Sequence, residues 1–234
     1  MIHITGDIHA EKKRMETIGQ QGEHPWDKND TLIVCGDFGF VFLDSYVERS
    51  YLDYMEQKPY TILFCDGNHE SFPLLDSYPE EEWHGGRIHR IRDNVFHLMR
   101  GQVYEIDGKK IFTMGGAYSI DKEYRKLGYS YWEEELPSKE EYEEATSNLT
   151  KHNNKVDIII THTAPNTAID LLKDSLSKED LEKSNSDEGD SELRAFLERI
   201  YNEVEFEKWF FGHFHCDRQL NEKLRAVYFD VIDI

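Results

Sequence analysis

Five short clusters of Asp, His and Asn residues recur along the chain and supply side chains that could bind metal ions. In chain order they are Gly6-Asp7-Ile8-His9, Gly36-Asp37, Gly67-Asn68-His69-Glu70, Thr161-His162-Thr163-Ala164-Pro165 and Gly212-His213-Phe214-His215. A single Asp or His near a strand is more often a cap or a turn residue, so the interpretation depends on the whole series. Two divalent ions held about 3.5–4 Å apart can clamp a phosphate group and make hydroxide available at neutral pH. The clusters therefore predict an enzyme that cleaves phosphate esters.

Each cluster directly follows a short apolar segment with the composition of a buried strand. The segments, rich in Ile, Val, Leu and Phe, are residues 1–5, 31–35, 61–65, 156–161 and 208–211. Such runs are typical of strands, and ligands placed where strands end converge at one edge of a sheet. Gly6, Gly36 and Gly67 precede a ligand, where the chain must turn sharply and pass close to an ion. The pattern predicts that the clusters meet in the folded chain.

The order of the clusters resembles the calcineurin-like metallophosphoesterase superfamily. The shared order is G-D-x-H, G-D, G-N-H-E, an isolated His after a strand, and G-H-x-H, and it extends from Asp7 to His215. The resemblance implies an α/β fold of the α+β type. In that fold a two-sheet β-sandwich is flanked by helices, which makes a four-layer architecture.

The resemblance also implies which residues bind the two ions. The implied ligands are Asp7, His9 and His215 for one ion, and Asn68, His162 and His213 for the other. Asp37 would bridge both ions. His69 would face the leaving group of the substrate.

The chemistry of these donors supports the same assignment. Imidazole and carboxylate together suit Mn, Fe, Zn or Ni, whereas an all-oxygen set would suit Mg or Ca. We expect two divalent ions, with Mn as the first choice. A carboxylate at Asp37 would offset the repulsion between the two cations, and the neutral oxygen of Asn68 would leave them electrophilic. We expect a hydroxide that bridges the ions to attack phosphorus in line, while His69 assists the departing oxygen.

The second cluster departs from the pattern of the phosphoprotein phosphatases, which extend it to G-D-x-V-D-R-G. Phe40 and Val41 stand where that branch has an Asp and an Arg. We therefore favour a phosphodiesterase or phosphomonoesterase that acts on nucleotides or other small phosphorylated metabolites. A phosphoprotein phosphatase is one alternative. A non-catalytic metal-binding scaffold is another, although scaffolds of that kind tend to lack ligands and none is missing here.

Three further residues are candidates for binding substrate. Arg87 lies in an Arg-rich stretch and Arg125 in an aromatic segment, residues 118–132. Either arginine could bind phosphate or be an ordinary surface charge. Tyr118 lies at the start of the aromatic segment, whose side chains could line a pocket and stack on a base, or could pack over the sheet edge.

Two carboxylates flank the histidine of the third cluster. Glu70 could orient His69, since an imidazole needs a partner to fix its tautomer, or it could form a salt bridge or face solvent. Asp66 precedes Gly67 and is expected to have a role in the turn.

Composition limits the partners and the location of the protein. Lys and Arg total 27 against 47 Asp and Glu, a formal net charge of -20, which repels duplex nucleic acid because binding to its phosphates needs the opposite sign. Three cysteines without C-x-x-C spacing indicate a reducing compartment. We expect neither a signal peptide nor a membrane span, which would need about 20 apolar residues. The sequence predicts a cytoplasmic enzyme for a small phosphate ester and leaves its protein partners open.

The chain is long enough for one sizeable core, and we expect a single domain over residues 1–234. Residues 94–98, 102–105 and 110–114 read as successive strands, with an Asp107-Gly108 turn before the last. These strands predict a second sheet in the middle of the sequence.

Two helices and one mobile segment are predicted in the second half of the chain. Ser138 and Glu141 form a capping box that predicts a helix ending near His152. Apolar spacing over residues 193–200 predicts an amphipathic helix that packs on a sheet. Residues 173–191 contain mainly Ser, Asp, Glu and Lys, which predicts a mobile acidic excursion.

Overall fold

Two β-sheets form the centre of the structure, a computed structural model that describes residues 1–20, 25–119, 121–175 and 189–234. The strands are β1 (Ile2–Thr5), β2 (Thr31–Val34), β3 (Thr61–Phe64), β4 (Glu80–Trp83), β5 (Gly86–Arg92), β6 (Val95–Leu98), β7 (Val103–Ile106), β8 (Lys109–Met114), β9 (Ile158–Thr161), β10 (Lys208–Phe211), β11 (Arg218–Gln219), β12 (Leu224–Ala226) and β13 (Ile232–Asp233). The helices are α1 (Lys12–Thr17), α2 (Tyr46–Glu56), α3 (Phe72–Leu75), α4 (Lys139–Lys151), α5 (Asn166–Ser175) and α6 (Ser191–Glu203).

The strand order brings the ends of the ligand-bearing strands to neighbouring positions. The first sheet has the order β13-β1-β2-β3-β6-β5-β4, and the second has the order β11-β12-β10-β9-β8-β7. β1, β2 and β3 are parallel, with Thr5 beside Val34 and Val34 beside Phe64. β9 and β10 are also parallel, with Thr161 beside Phe211. The loops that carry the five clusters therefore leave their sheets side by side.

The two sheets pack face to face, and helices cover their outer faces. The central apolar cluster includes Ile4 and Ile33 from the first sheet and Ile111 and Ile158 from the second. The outer face of the first sheet packs against α1 and α2, and that of the second packs against α4, α5 and α6. Burial of apolar side chains on both faces is the main force that holds such layers together. The predicted two-sheet sandwich flanked by helices is confirmed.

The strands in the middle of the chain divide between the two sheets. β6 was expected in the second sheet, but it pairs with β3 and β5 in the first. β7 and β8 form the expected hairpin, and φ is 49° at Asp107 and 72° at Gly108, as a type I′ turn requires. β4 and β5 were not predicted, because the arginines of β5 suggested a surface stretch. The three arginines of β5 all occupy partly exposed positions, and the isoleucines between them are buried.

The two predicted helices are present. α4 follows Ser138, whose hydroxyl accepts from the Glu141 amide at 3.2 Å while the Glu141 carboxylate accepts from the Ser138 amide at 2.6 Å. α6 buries its apolar residues against the second sheet. Of the predicted acidic excursion, residues 173–175 end α5 and Ser191 begins α6, and residues 176–188 lie outside the described residues. None of the helices in the described ranges has the length and apolar character needed to cross a bilayer.

Candidate metal centre

Four residues from three clusters meet where β1, β2 and β10 end, and we call them the first ligand group. Asp7, His9, Asp37 and His215 each offer one ligand atom, and these atoms all lie within 4.8 Å of one another. The Nε2 atoms of His9 and His215 are 2.9 Å apart, and His215 Nε2 is 3.0 Å from Asp7 Oδ2. Imidazole and carboxylate atoms that converge in this way form a donor set that fits a divalent ion.

The carboxylate of Asp37 also faces a second ligand group. This group consists of Asp37, Asn68, His162 and His213. Asp37 Oδ1 is 3.4 Å from His162 Nε2, and the same nitrogen is 3.2 Å from Asn68 Oδ1. The ring centroids of His162 and His213 are 5.0 Å apart. The chemistry of these donors would also suit a divalent ion, and the Asp37 carboxylate lies near both groups.

The backbone adopts a left-handed conformation at four of these residues. φ is 48° at His9, 49° at Asp37, 67° at His213 and 48° at His215. Such a conformation costs a non-glycine residue of order 1 kcal/mol and persists only where the surrounding structure enforces it. Four of the ten non-glycine residues with positive φ in the described part of the chain are thus candidate ligands.

Two glycines allow the ligand loops to approach closely. A Cβ atom at Gly36 would overlap the His162 ring, and a Cβ atom at Gly67 would overlap the Asp37 carboxylate. Any side chain at these positions would displace a candidate ligand. The sequence predicted that the backbone at these glycines passes close to an ion. In the structure, the backbone at each glycine passes close to a candidate ligand from another loop.

Backbone groups orient the ligand side chains. His162 Nδ1 donates to the Cys35 carbonyl oxygen at 2.8 Å, so Nε2 is the ring nitrogen that would face an ion. Asp37 Oδ1 accepts from the His69 amide at 2.9 Å. A backbone amide of the third cluster thereby fixes the Asp37 carboxylate of the second cluster.

Burial and neighbouring charges change the protonation of the site. Burial raises the pKa of Asp37, but the nearby imidazoles of His162 and His69 outweigh it and hold that pKa well below its usual range. Burial lowers the pKa of His162, but the Asp37 carboxylate outweighs it and raises that pKa to about 10. Burial and the neighbouring His162 lower the pKa of His213 to about 4. Asp37 is thus an anion in a buried position, where a cation is favoured.

Arg125 reaches the site from the aromatic segment and contacts His69. Its Nη2 donates to His69 Nε2 at 2.8 Å, and its Nε lies 2.7 Å from Asp121. Because a guanidinium only donates, His69 Nε2 is the acceptor and the proton of the neutral ring is on Nδ1. The rings of His69 and His9 are 4.9 Å apart between centroids, so this contact lies beside the first ligand group.

The other two candidate substrate-binding residues have different surroundings. Arg87 lies on β5, and its guanidinium is 2.7 Å and 2.5 Å from two glutamate carboxylates. Tyr118 is half-buried, and the ammonium of Lys122 lies 4.0 Å from the centre of its ring. Of the three candidates, the structure brings Arg125 into contact with the site.

The aromatic side chains of residues 118–132 divide between packing and exposure. Trp132 is 6% exposed, belongs to the core under α2, and has its ring centroid 5.4 Å from that of Phe42. Tyr124 is 86% exposed and Tyr129 is 64% exposed. Trp132 therefore packs against the fold, whereas these two tyrosines lie at the surface.

Asp66 and Glu70, the two carboxylates near His69, each bind a partner far away in the sequence. Asp66 was expected to have a turn role, but it is buried and lies 2.6 Å from Arg100, 34 residues later. Glu70 accepts from the amides of Gly39 at 2.9 Å and Gly67 at 2.6 Å. It thus joins the second and third clusters, a role that was not among those considered for it. No local pattern indicates the contact between Asp66 and Arg100 or the contact between Glu70 and Gly39.

Two buried residues beside Asn68 were missed in the sequence. Ser119 Oγ lies 3.1 Å from Asn68 Nδ2 and 2.9 Å from Glu135 Oε1. Ser119 is 1% exposed and Glu135 is 0% exposed. A serine in an aromatic segment and a glutamate in an acidic run resemble surface residues, so the sequence carried no signal for them.

Comparison with known proteins agrees with the geometry. The family model for calcineurin-like phosphoesterases matches residues 1–217 of the 234 residues, a range that contains all five clusters. A search of curated proteins finds no match. The mixed Asp and His donors are those expected for the divalent ions on which this family depends. The chain belongs to the calcineurin-like phosphoesterase family and is a metal-dependent phosphoesterase.

Proposed function

We propose that the protein is a two-ion phosphodiesterase or phosphomonoesterase that acts on nucleotides or similar small phosphorylated metabolites. The observation that carries the proposal is the position of Asp37. Its Oδ2 is 3.6 Å from His9 Nε2, and its Oδ1 is 3.4 Å from His162 Nε2. One carboxylate faces two groups of donors, as a ligand shared by two ions must. When bound, the two ions would supply a water of lowered pKa and polarise the phosphoryl oxygens.

The donor set supports Mn as the first ion to test. The residues that would bind the ions are Asp7, His9, Asp37, Asn68, His162, His213 and His215. Mixed imidazole and oxygen donors suit Mn, Fe, Zn or Ni better than Mg or Ca. The amide of Asn68 contributes a neutral oxygen, which limits the negative charge that a phosphate must approach.

Arg125 and His69 would act on the substrate itself. In the free protein, Arg125 Nη2 donates a hydrogen bond to His69 Nε2 at 2.8 Å. An incoming phosphate oxygen can accept that hydrogen bond in place of His69. With its Nδ1 proton retained, His69 would then be free to take up a second proton from water at Nε2 and deliver it to the departing oxygen. The Arg125 side chain is 12% exposed, so little water would screen its attraction for an anion. Arg125 would orient the phosphate, and His69 would move the proton.

Two features support a small substrate over a phosphoprotein. Phe40 and Val41 replace the Asp and Arg of the phosphoprotein phosphatases, and both are buried in the core. The guanidinium that contacts His69 belongs to Arg125, which lies on a different segment of the chain. The net charge of -20 also opposes the binding of duplex nucleic acid.

The cysteines support a cytoplasmic location. Cys35, Cys65 and Cys216 are all free thiols, and the first two are buried. Free thiols without paired spacing are typical of proteins in reducing compartments.

The first test compares hydrolysis of bis(p-nitrophenyl) phosphate with that of p-nitrophenyl phosphate. Metal-stripped protein is assayed with and without added Mn, and the bound metal is counted. We expect two Mn ions per chain and Mn-dependent turnover of the diester. Asp37→Asn keeps the side-chain volume but removes the shared charge, so it should lose turnover. Hydrolysis of the monoester alone would indicate a phosphatase, and no turnover of either ester with metal bound would refute the proposal.

A further inference from the structure

A buried serine and a buried glutamate hold the amide of Asn68. We infer that Ser119 and Glu135 are positioning residues that turn the Asn68 amide oxygen toward the second ligand group. The inference rests on the proposed two-ion function. Ser119 would act through Asn68, and Glu135 would act through Ser119.

The direction of these hydrogen bonds follows from the donors that surround Glu135. Lys122 Nζ is 3.1 Å from Glu135 Oε2, and the Ser119 amide donates to the same oxygen at 3.2 Å. A carboxylate that faces these donors is held as an acceptor. The Ser119 hydroxyl therefore donates its one proton to Glu135 Oε1 at 2.9 Å. Its lone pairs are left for other donors, and Asn68 Nδ2 donates to Ser119 Oγ at 3.1 Å.

A fixed amide nitrogen determines where the amide oxygen points. Asn68 Oδ1 is 3.2 Å from His162 Nε2, so the oxygen faces the second ligand group. A flipped amide would direct two N–H donors at the position of a cation and would place its oxygen against a hydroxyl whose proton is already used. The Ser119 hydroxyl thus selects the orientation of Asn68 that can bind an ion.

A buried arginine anchors both sides of this arrangement. Arg100 is 5% exposed, and its Nη2 donates to Asp66 Oδ2 at 2.6 Å and to the Glu135 carbonyl oxygen at 3.3 Å. Asp66 precedes Asn68 by two positions in the chain. One guanidinium therefore binds the side chain of a residue two positions before the candidate ligand and the backbone of Glu135, the acceptor for Ser119.

Ser119 also contacts the arginine that binds His69. Arg125 Nη1 is 3.4 Å from Ser119 Oγ, while Arg125 Nη2 donates to His69 Nε2. A hydroxyl can accept two hydrogen bonds while it donates one. Ser119 can thus serve the candidate metal ligand and the candidate phosphate-binding residue at the same time.

The test measures binding of Mn to metal-stripped protein by the loss of the electron paramagnetic resonance signal of free Mn. We expect Ser119→Ala to bind the first ion as the wild type does, because Ser119 contacts Asn68 of the second ligand group. The second ion should bind roughly 10–100-fold more weakly, the loss typical when the partner of a metal ligand is removed. Ser119→Thr keeps the hydroxyl and should restore binding. Glu135→Gln should weaken the second ion in the same direction, because the hydroxyl loses its anionic acceptor.

Ser130→Ala is the matched control, because it removes a hydroxyl from the same aromatic segment. The Ser130 hydroxyl accepts from the Lys126 amide at 2.8 Å. Two ions bound equally well in Ser119→Ala and the wild type would overturn the inference. An equal weakening in Ser130→Ala, or a loss that Ser119→Thr does not repair, would overturn it as well. A wild-type chain that fails to bind two ions would instead refute the proposed function on which the inference rests.

Discussion

Replacement of Arg125 by alanine should slow hydrolysis without unfolding the protein. The Arg125 guanidinium contacts His69 at 2.8 Å and pairs with Asp121, whose side chain is 45% exposed. Because the Asp121 carboxylate is largely solvated and can return to water when the guanidinium is removed, loss of this pair should cost about 0–1 kcal/mol, as for a pair at the surface. We therefore expect Arg125→Ala to keep nearly the stability of the wild type, so that its kinetic defect can be measured on folded protein.

The size of the defect follows from the burial of Arg125. Its side chain is 12% exposed, so a hydrogen bond to phosphate would form largely out of contact with water. A hydrogen bond to a charged group contributes roughly 1.5–3 kcal/mol, and about 1.4 kcal/mol corresponds to a tenfold change in rate. We expect kcat/KM to fall by roughly 10–150-fold. Arg125→Lys should lose less, because it keeps the charge but not the forked geometry.

The assay is steady-state hydrolysis of aryl phosphate diesters with leaving groups of different pKa, under saturating Mn. Arg87→Ala is the comparison variant, because Arg87 pairs with Glu80 and Glu144 and not with His69. We expect Arg87→Ala to retain the wild-type kcat/KM. Unchanged kcat/KM in Arg125→Ala, or an equal loss in both variants, would refute the assignment of Arg125.

Three further predictions concern stability. Arg100→Met should lower the urea midpoint by an amount equivalent to roughly 3–5 kcal/mol, because it leaves the buried carboxylate of Asp66 without its arginine partner. Burial and a neighbouring histidine lower the pKa of His89 from 6.5 to about 4. His89 therefore binds a proton at a higher pH in the unfolded chain than in the folded chain. The stability that neutral His89 contributes is fully present above pH 6.5 and is lost as the pH falls from 6.5 toward 4. His89→Asn should remove up to about 3 kcal/mol of this pH dependence in urea unfolding curves. Removal of metal with a chelator leaves the buried carboxylates of Asp7 and Asp37 without cations, so the Tm in differential scanning fluorimetry should fall and then recover when Mn is added.

Each of these predictions has an outcome that contradicts it. A wild-type urea midpoint in Arg100→Met would show that the buried pair contributes no net stability. His84→Asn replaces an exposed histidine. If it reduced the pH dependence of the unfolding free energy as much as His89→Asn does, the effect could not be assigned to the burial of His89. A Tm that does not respond to the chelator or to Mn would contradict a metal centre that is coupled to the fold.

Much of the scaffold could be predicted because its signals are local. The apolar runs that became β1, β2, β3, β9 and β10 each precede a ligand cluster, and burial of such runs requires that they pair as strands. The capping box at Ser138 set the start of α4, and the Asp107-Gly108 turn set the β7–β8 hairpin. In each case the residues that determine the structure lie within a few positions of one another. β6 was assigned to the wrong sheet because the sequence pattern of a strand does not indicate which other strands it pairs with.

The candidate metal ligands were also named from the sequence, because Asp, His and Asn after strands carry a recognisable order. Which side chains surround them was decided only by the tertiary structure. Arg100 meets Asp66 across 34 residues, Ser119 meets Asn68 across 51, and Arg125 meets His69 across 56. These contacts arise when separate loops converge at the ends of parallel strands, and no local pattern encodes them. The sequence thus determined the strands that precede the clusters and the candidate ligands, whereas packing of the two sheets decided which buried partners orient those ligands.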